Sequence, residues 1–351
     1  MSNFLQALHH QPVTRLPVWF MRQAGRYLPE YQKVRATFPD FIQFCLTPDA
    51  ATQVTLQPVT RFDVDAAIIF ADILTIPHAL GHTVTFSTGY GPHVEPITTT
   101  AQITQLANRL ENIVSLSPVA QTVAQTRKAL PKSKAVIGFC GGPFTLACYM
   151  LDAKPSQGIP NTLKMIAEHP RSFTRLLDTL TAACATYLSM QIQAGADAVQ
   201  VFESWASACP AEHWKAYIHT PLITLSKAVK LQHPATPVLL FPRLATNAQL
   251  LALRNAAPNT FNALSLSTET DLAWAAQTLQ PQVTIQGNLD PMLFTKATPA
   301  PLQNALNQSL SLCGNQPGYI VNLGHGFTPE TNPDFVKYTV ETIHAFQPAK
   351  S

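Results

Sequence analysis

A chain of 351 residues that is 46% hydrophobic, 12% charged and +3 in net charge suits a large enclosed core, which excludes a disordered or highly solvated chain. The charge surplus is too small for nucleic-acid binding through a broad basic face. No apolar run reaches the length of a membrane span, and the opening MSNFLQALHHQPVTR lacks a signal-peptide core; a cytoplasmic location without a membrane partner is expected. Six cysteines, at positions 45, 140, 148, 184, 209 and 313, include no C-x-x-C pair and read as reduced packing residues rather than a metal site.

The first distinctive stretch in chain order is MRQAGRYLPEY, residues 21–31, which places Arg22 and Arg26 around an Ala-Gly pair. Between Arg15 and Arg35 stand five basic residues and one acid, Glu30. An anionic ligand fits that cluster. The alternative is a set of surface charges paired with Glu30, which would contribute little.

Seven short apolar runs follow: DAAIIF (65–70), AVIGF (135–139), DAVQVF (197–202), PVLLF (237–241), FNALSL (261–266), VTIQG (283–287) and YIVNL (319–323). Their length suits buried strands, and their apolar character on both faces suits a parallel sheet. Helical spacing fills the gaps. Residues 161–194 should break at Pro170 and end at Gly195, and segments 247–255, 271–279, 301–312 and 333–346 carry further helices. Residues 78–98 read as a hairpin-like insertion. Alternation of strand and helix predicts a single (β/α)8 TIM barrel domain over residues 1–351, although the eighth strand is not identifiable. A doubly wound sheet is the alternative, but no G-x-G-x-x-G follows any strand.

Polar residues gather after the strands: Asp72 after the first, CGGPFT after the second, Glu203-Ser204 after the third, Arg243 after the fourth, and Gly324-His325-Gly326 after the last. In a barrel these positions share one mouth, where active sites lie. Each has a structural alternative. Asp72 and Ser204 could cap helices, and His325 could serve a tight turn. The sequence has no G-x-S-x-G elbow, no H-E-x-x-H and no P-loop. What remains is an arginine pair, one strand-end carboxylate, a tyrosine and a histidine. Such a set suits a polyanion with central N–H donors, because arginine forks carboxylates and an ionised Asp is acceptor-only.

PVWFMRQAGRYLPEY (17–31) and GFCGGPFTLACYM (138–150) resemble the two signatures of the uroporphyrinogen decarboxylase family. LQPVTRFDVDAAIIFADIL (56–74), VFES (201–204), QGNLDP (286–291) and NLGHG (322–326) also match, so the resemblance spans nearly the whole chain. It implies a barrel that is usually homodimeric and needs no cofactor or metal. It also implies removal of the four acetate carboxylates of uroporphyrinogen as CO2, giving coproporphyrinogen for haem synthesis. By motif match the catalytic positions are Asp72, Arg22 and Tyr149. Substrate-binding positions are Arg22, Gln23, Ala24, Gly25, Arg26, Asp72, Phe139, Tyr149, Ser204 and His325. The sequence departs from the family pattern at Arg243, where Lys is usual, and at Ser267, where Asp is usual. Thiol- or cobalamin-dependent methyltransferases on a similar fold are the rival class, but they need a Cys/His zinc set that the last strand ends lack. A tetrapyrrole binder without turnover is the second rival.

Overall fold

All seven apolar runs become parallel strands. A computed structural model describes residues 1–87, 91–256 and 259–348. The main sheet comprises β1 (Ala66–Ile68), β4 (Ala135–Gly141), β5 (Ala198–Glu203), β6 (Val238–Pro242), β7 (Ala263–Ser265), β8 (Thr284–Gln286) and β9 (Tyr319–Ile320), hydrogen-bonded in that order. The register pairs Ala66 with Ala135, Ile137 with Ala198, Val199 with Val238, and Ile285 with Tyr319. The hairpin insertion is β2 (Val84–Ser87) against β3 (Gly91–Val94), antiparallel. Its expected tip, residues 88–90, lies outside the described residues.

The missing eighth member sits inside the basic N-terminal motif. Val18 bridges Val321 in parallel, Val321 N–H donates to Pro17 O at 3.0 Å, and Trp19 N–H donates to Val321 O at 3.3 Å. On the other side Asp65 N–H donates to Val18 O at 2.8 Å. Residues 17–19 thereby close the ring between β9 and β1. Pro17 brings no N–H, and so short a segment carries no readable alternation.

Strand alternation sorts side chains into two cores. Outward residues such as Val136, Val199, Leu240 and Ile285 pack under the helices. Inward residues include Ala66, Ala135, Ala198 and Ala263, and their small size leaves room at the barrel base for Phe4, Ala7 and Leu8 of the first helix, Asn3–Leu8. Thr284 Oγ1 donates to Ala7 O at 2.6 Å, tying that plug to β8. A buried polar layer lies within the ring. Trp19 Nε1 donates to Gln286 Oε1 at 2.7 Å, and Gln286 Nε2 donates to Ser265 Oγ at 2.8 Å and Gln200 Oε1 at 3.2 Å. These groups satisfy one another where water is excluded.

A second polar cluster secures the closure. Buried Asp65 receives Val18 N–H at 2.9 Å, Arg15 at 2.7 Å and His344 Nε2 at 2.9 Å. It joins the closing segment, β1 and the last helix, Pro333–Ala345. The break at Pro170 occurs as expected, between helices Pro160–Glu168 and Pro170–Gln193. Gly195 follows that second helix at φ +112°, a left-handed geometry that favours glycine.

Candidate active site

A cavity of about 710 Å³ opens at the C-terminal ends of the strands, within the usual size range for a ligand site. Arg22, Gln23, Ala24, Gly25, Arg26, Asp72, Phe139, Tyr149, Ser204 and His325 all line it. They arrive from different members of the ring. Arg22 to Arg26 follow the closing segment, Asp72 follows β1, and Ser204 follows β5. Phe139 belongs to β4, Tyr149 to the helix Pro143–Asp152 after it, and His325 follows β9. Phe139 and Phe202 meet edge to face at 5.6 Å, and Phe202 and Phe241 at 6.2 Å, giving an apolar floor.

Arg22 occupies the left-handed region at φ +60°, a conformation that costs a non-glycine residue and persists where surroundings enforce it. Three bonds enforce it. Gln23 N–H donates to Phe20 O at 3.1 Å, Met21 N–H to Asn322 Oδ1 at 3.1 Å, and Phe327 N–H to Met21 O at 3.1 Å. Gln23 presents no side chain to a ligand. Its Oε1 accepts from Phe20 N–H at 3.1 Å and its Nε2 donates to Ala66 O at 3.0 Å, so it braces the turn and lends the cavity only its backbone.

The pairing of Arg22 or Arg26 with Glu30 does not occur. Glu30 pairs with Arg61 at 3.1 Å, and among the described residues neither Arg22 nor Arg26 makes an ion pair. Arg35 and Arg243 also line the cavity, and among the described residues Asp72 is the one acid that does so. A chain of small net charge therefore concentrates four guanidiniums around one carboxylate.

Asp72 is not the side-chain cap of the following helix, Thr75–Ala79, whose N-cap is Leu74; instead its Oδ1 accepts Leu74 N–H at 2.8 Å. No protein donor reaches Oδ2 among the described residues. Burial pushes the carboxyl up to about 6, against the Leu74 N–H and the Arg22 charge, which hold it down. His325 is pushed the other way, below the usual histidine range, by burial and then by the charges of Arg22 and Arg243. It is a neutral imidazole near pH 7, with Nδ1 facing Gly326 O at 3.5 Å. Burial raises the Tyr149 phenol, which keeps its proton and can donate.

Glu203, read with Ser204 as part of the mouth, is a correction. It turns away and caps the helix Pro143–Asp152, accepting from Phe144 N–H at 3.2 Å, Thr145 N–H at 2.6 Å and Thr145 Oγ1. A glycine at 142 makes this possible, since a Cβ there would collide with the Glu203 carboxylate. Helix N-termini favour such an anion, although burial pushes Glu203 up to about 7.

Several cavity residues carried no readable signal. Phe41 and Phe86, 4.5 Å apart, form a wall by joining the short helix Phe41–Cys45 to the hairpin. Arg35 lies over Phe41 at 5.6 Å. No group of three metal-binding side chains comes together among the described residues.

A family model described as uroporphyrinogen decarboxylase (URO-D) matches residues 1–346. The chain belongs to the uroporphyrinogen decarboxylase family. Among curated relatives, the uroporphyrinogen decarboxylase of Rhodospirillum rubrum is 39% identical over 343 residues, covering 97% of both chains. That of Nitrosococcus oceani is 40% identical over 346 residues, covering 98% of this chain and 95% of the relative. Among solved structures, a methyltransferase from Methanosarcina mazei superposes with a TM-score of 0.76 at 16% identity, covering 97% of each chain. At that identity the likeness extends to the fold alone. The family's MRQAGR and NLGHG motifs meet physically in this chain, where Met21 N–H donates to Asn322 Oδ1 at 3.1 Å.

Proposed function

We propose that this chain decarboxylates uroporphyrinogen, removing its four acetate carboxylates to give coproporphyrinogen. The observation that carries the reading is the lone carboxylate, Asp72, set among four guanidiniums above an aromatic floor. Eight peripheral carboxylates require cations, and the pyrrole N–H groups at the centre require an acceptor. Asp72 Oδ2, with no protein donor, supplies it.

Loss of CO2 from a pyrrole acetate needs a sink for the pair of electrons in the breaking C–C bond. Protonation of the adjacent ring carbon creates a cationic ring that accepts them. The exocyclic methylene so formed takes up a proton as the ring carbon releases its own, so each CO2 lost consumes one proton. Asp72 stabilises the cationic ring where its charge develops. Arg22 and Arg26 hold the carboxylates in place. Tyr149, Ser204 and neutral His325 orient them by hydrogen bonding. A guanidinium, with a pKa above about 12, is a poor acid, so solvent or a substrate carboxylic acid is the better proton source. The proposal includes a homodimer in the cytoplasm that works without cofactor; sedimentation equilibrium tests the dimer.

Anaerobic incubation with the reduced octacarboxylate, followed by chromatography and mass measurement, should reveal stepwise loss of four CO2. Tight binding without any loss would replace this reading with that of a tetrapyrrole binder.

A further inference from the structure

Of the four guanidiniums in the cavity, Arg35 and Arg243 have no individual role in the mechanism above, and Arg35 is engaged by Phe38 O and the Phe41 ring. Counting around the ring from the closing segment, the order is 17–19, β1, β4, β5 and then β6. In an eight-membered ring the fifth member stands diametrically across, so Arg243 at the end of β6 faces the rim that carries Arg22 and Arg26. It lines the cavity half-buried, and its guanidinium has no hydrogen bond or ion pair among the described residues.

The backbone beneath it is held firmly. Arg243 N–H donates to Glu203 O at 3.1 Å and Ala245 N–H to Pro242 O at 3.1 Å. Between them Leu244 takes the left-handed region at φ +59°, and its N–H donates to Ser267 Oγ at 2.7 Å. A non-glycine residue held there marks a turn set by its surroundings. Ser267 is buried and neutral. It pins the turn without offering a carboxylate to the guanidinium beside it. Glu203 caps a helix, and Glu269 makes no ion pair with Arg243.

We propose that Arg243 is a specificity-determining residue that grips a peripheral carboxylate of the substrate opposite Arg22 and Arg26, and that Ser267 keeps it available. This rests on the decarboxylase reading. A planar fork carrying five donors, partly withdrawn from water and left without a protein acceptor, is matched to a carboxylate from the ligand. Gripping the macrocycle at both ends sets which acetate lies over Asp72 and penalises substrates that lack the carboxylate Arg243 holds.

Steady-state kinetics on the octacarboxylate and on its partly decarboxylated products test this, with Arg243→Gln, Arg243→Lys and Ser267→Asp. Losing a charge-assisted bond should raise KM about tenfold or more in Arg243→Gln, with kcat within about twofold. Arg243→Lys should fall between it and the wild type. Ser267→Asp should raise KM similarly by supplying an internal partner, and adding Arg243→Gln to it should change little further. Because Arg243 makes no side-chain hydrogen bond or ion pair among the described residues, its variants should keep the wild-type melting temperature. KM within about twofold of wild type in Arg243→Gln, or a loss confined to kcat, would overturn the assignment. A wild-type protein that releases no CO2 would instead defeat the decarboxylase reading.

Discussion

Gly326 gives Arg22 its place: a Cβ built on Gly326 would stand 2.5 Å from Arg22 Cδ and 2.7 Å from Cγ. The residue after the histidine of one motif is thus small because the arginine of another lies across it. The side chain that would have to move is flexible, so the fold can absorb the intrusion and the site cannot.

Gly326→Ala should therefore leave the melting temperature nearly unchanged while lowering kcat/KM about tenfold or more, in line with the cost of misplacing a positioning group. Circular dichroism and kinetics on the same preparation check both halves. A large fall in melting temperature would point to a structural role instead.

Asp72→Asn should abolish most turnover and keep the fold. Its stability has a definite sign. The folded carboxyl titrates near 6 against an ordinary value of 3.8, so the native state holds its proton more tightly than the unfolded chain does. That contribution is fully present below pH about 4 and is lost as pH rises through about 6. Asparagine removes the dependence. The variant should match the wild type near pH 4 and melt higher at pH 7, which thermal scans at the two pH values measure.

Activity should follow the opposite course. In the proposed mechanism, protonating Asp72 removes the charge that would accept the pyrrole N–H groups, so kcat/KM should fall below pH about 6, approaching tenfold per unit. The limb should be absent from the residual activity of Asp72→Asn. A flat profile between pH 5 and 7 would separate Asp72 from catalysis.

Asp65 shows the reverse linkage. Burial alone would raise its carboxyl, but His344, Lys134 and the Val18 N–H outweigh it and hold it below the ordinary range. The stability it contributes is present above pH about 4 and lost on acidification. Breaking such a buried ionic group by Asp65→Asn should cost about 3–5 kcal/mol at neutral pH. The midpoint of urea denaturation should drop accordingly, with the substrate cavity, at the other end of the barrel, left intact in the folded fraction.

Much of this was legible in the chain itself. Local composition marks a buried parallel strand, so the apolar runs at 65–70 and 319–323 could be read as β1 and β9, and Pro170 could be read as a helix break. Motif resemblance reached Arg22, Asp72, Tyr149, Ser204 and His325, which all line one cavity. The eighth ring member escaped because one of its partners, Val321, lies near the other end of the sequence. Glu203 and Ser204 are neighbours in sequence but serve a helix cap and a cavity wall, and nothing local distinguishes them. The departures at Arg243 and Ser267 look independent in the text, yet Ser267 Oγ pins the turn after Arg243 at 2.7 Å.

The amino-acid order alone determined which segments avoid water and at what period, and hence strand, helix and barrel, because burial and backbone preference act within a few residues. Tertiary structure alone decided which charges remain unpartnered. Whether Arg22 meets Glu30, or Asp72 keeps an oxygen for a ligand, depends on distances across the ring that only closure of the barrel sets.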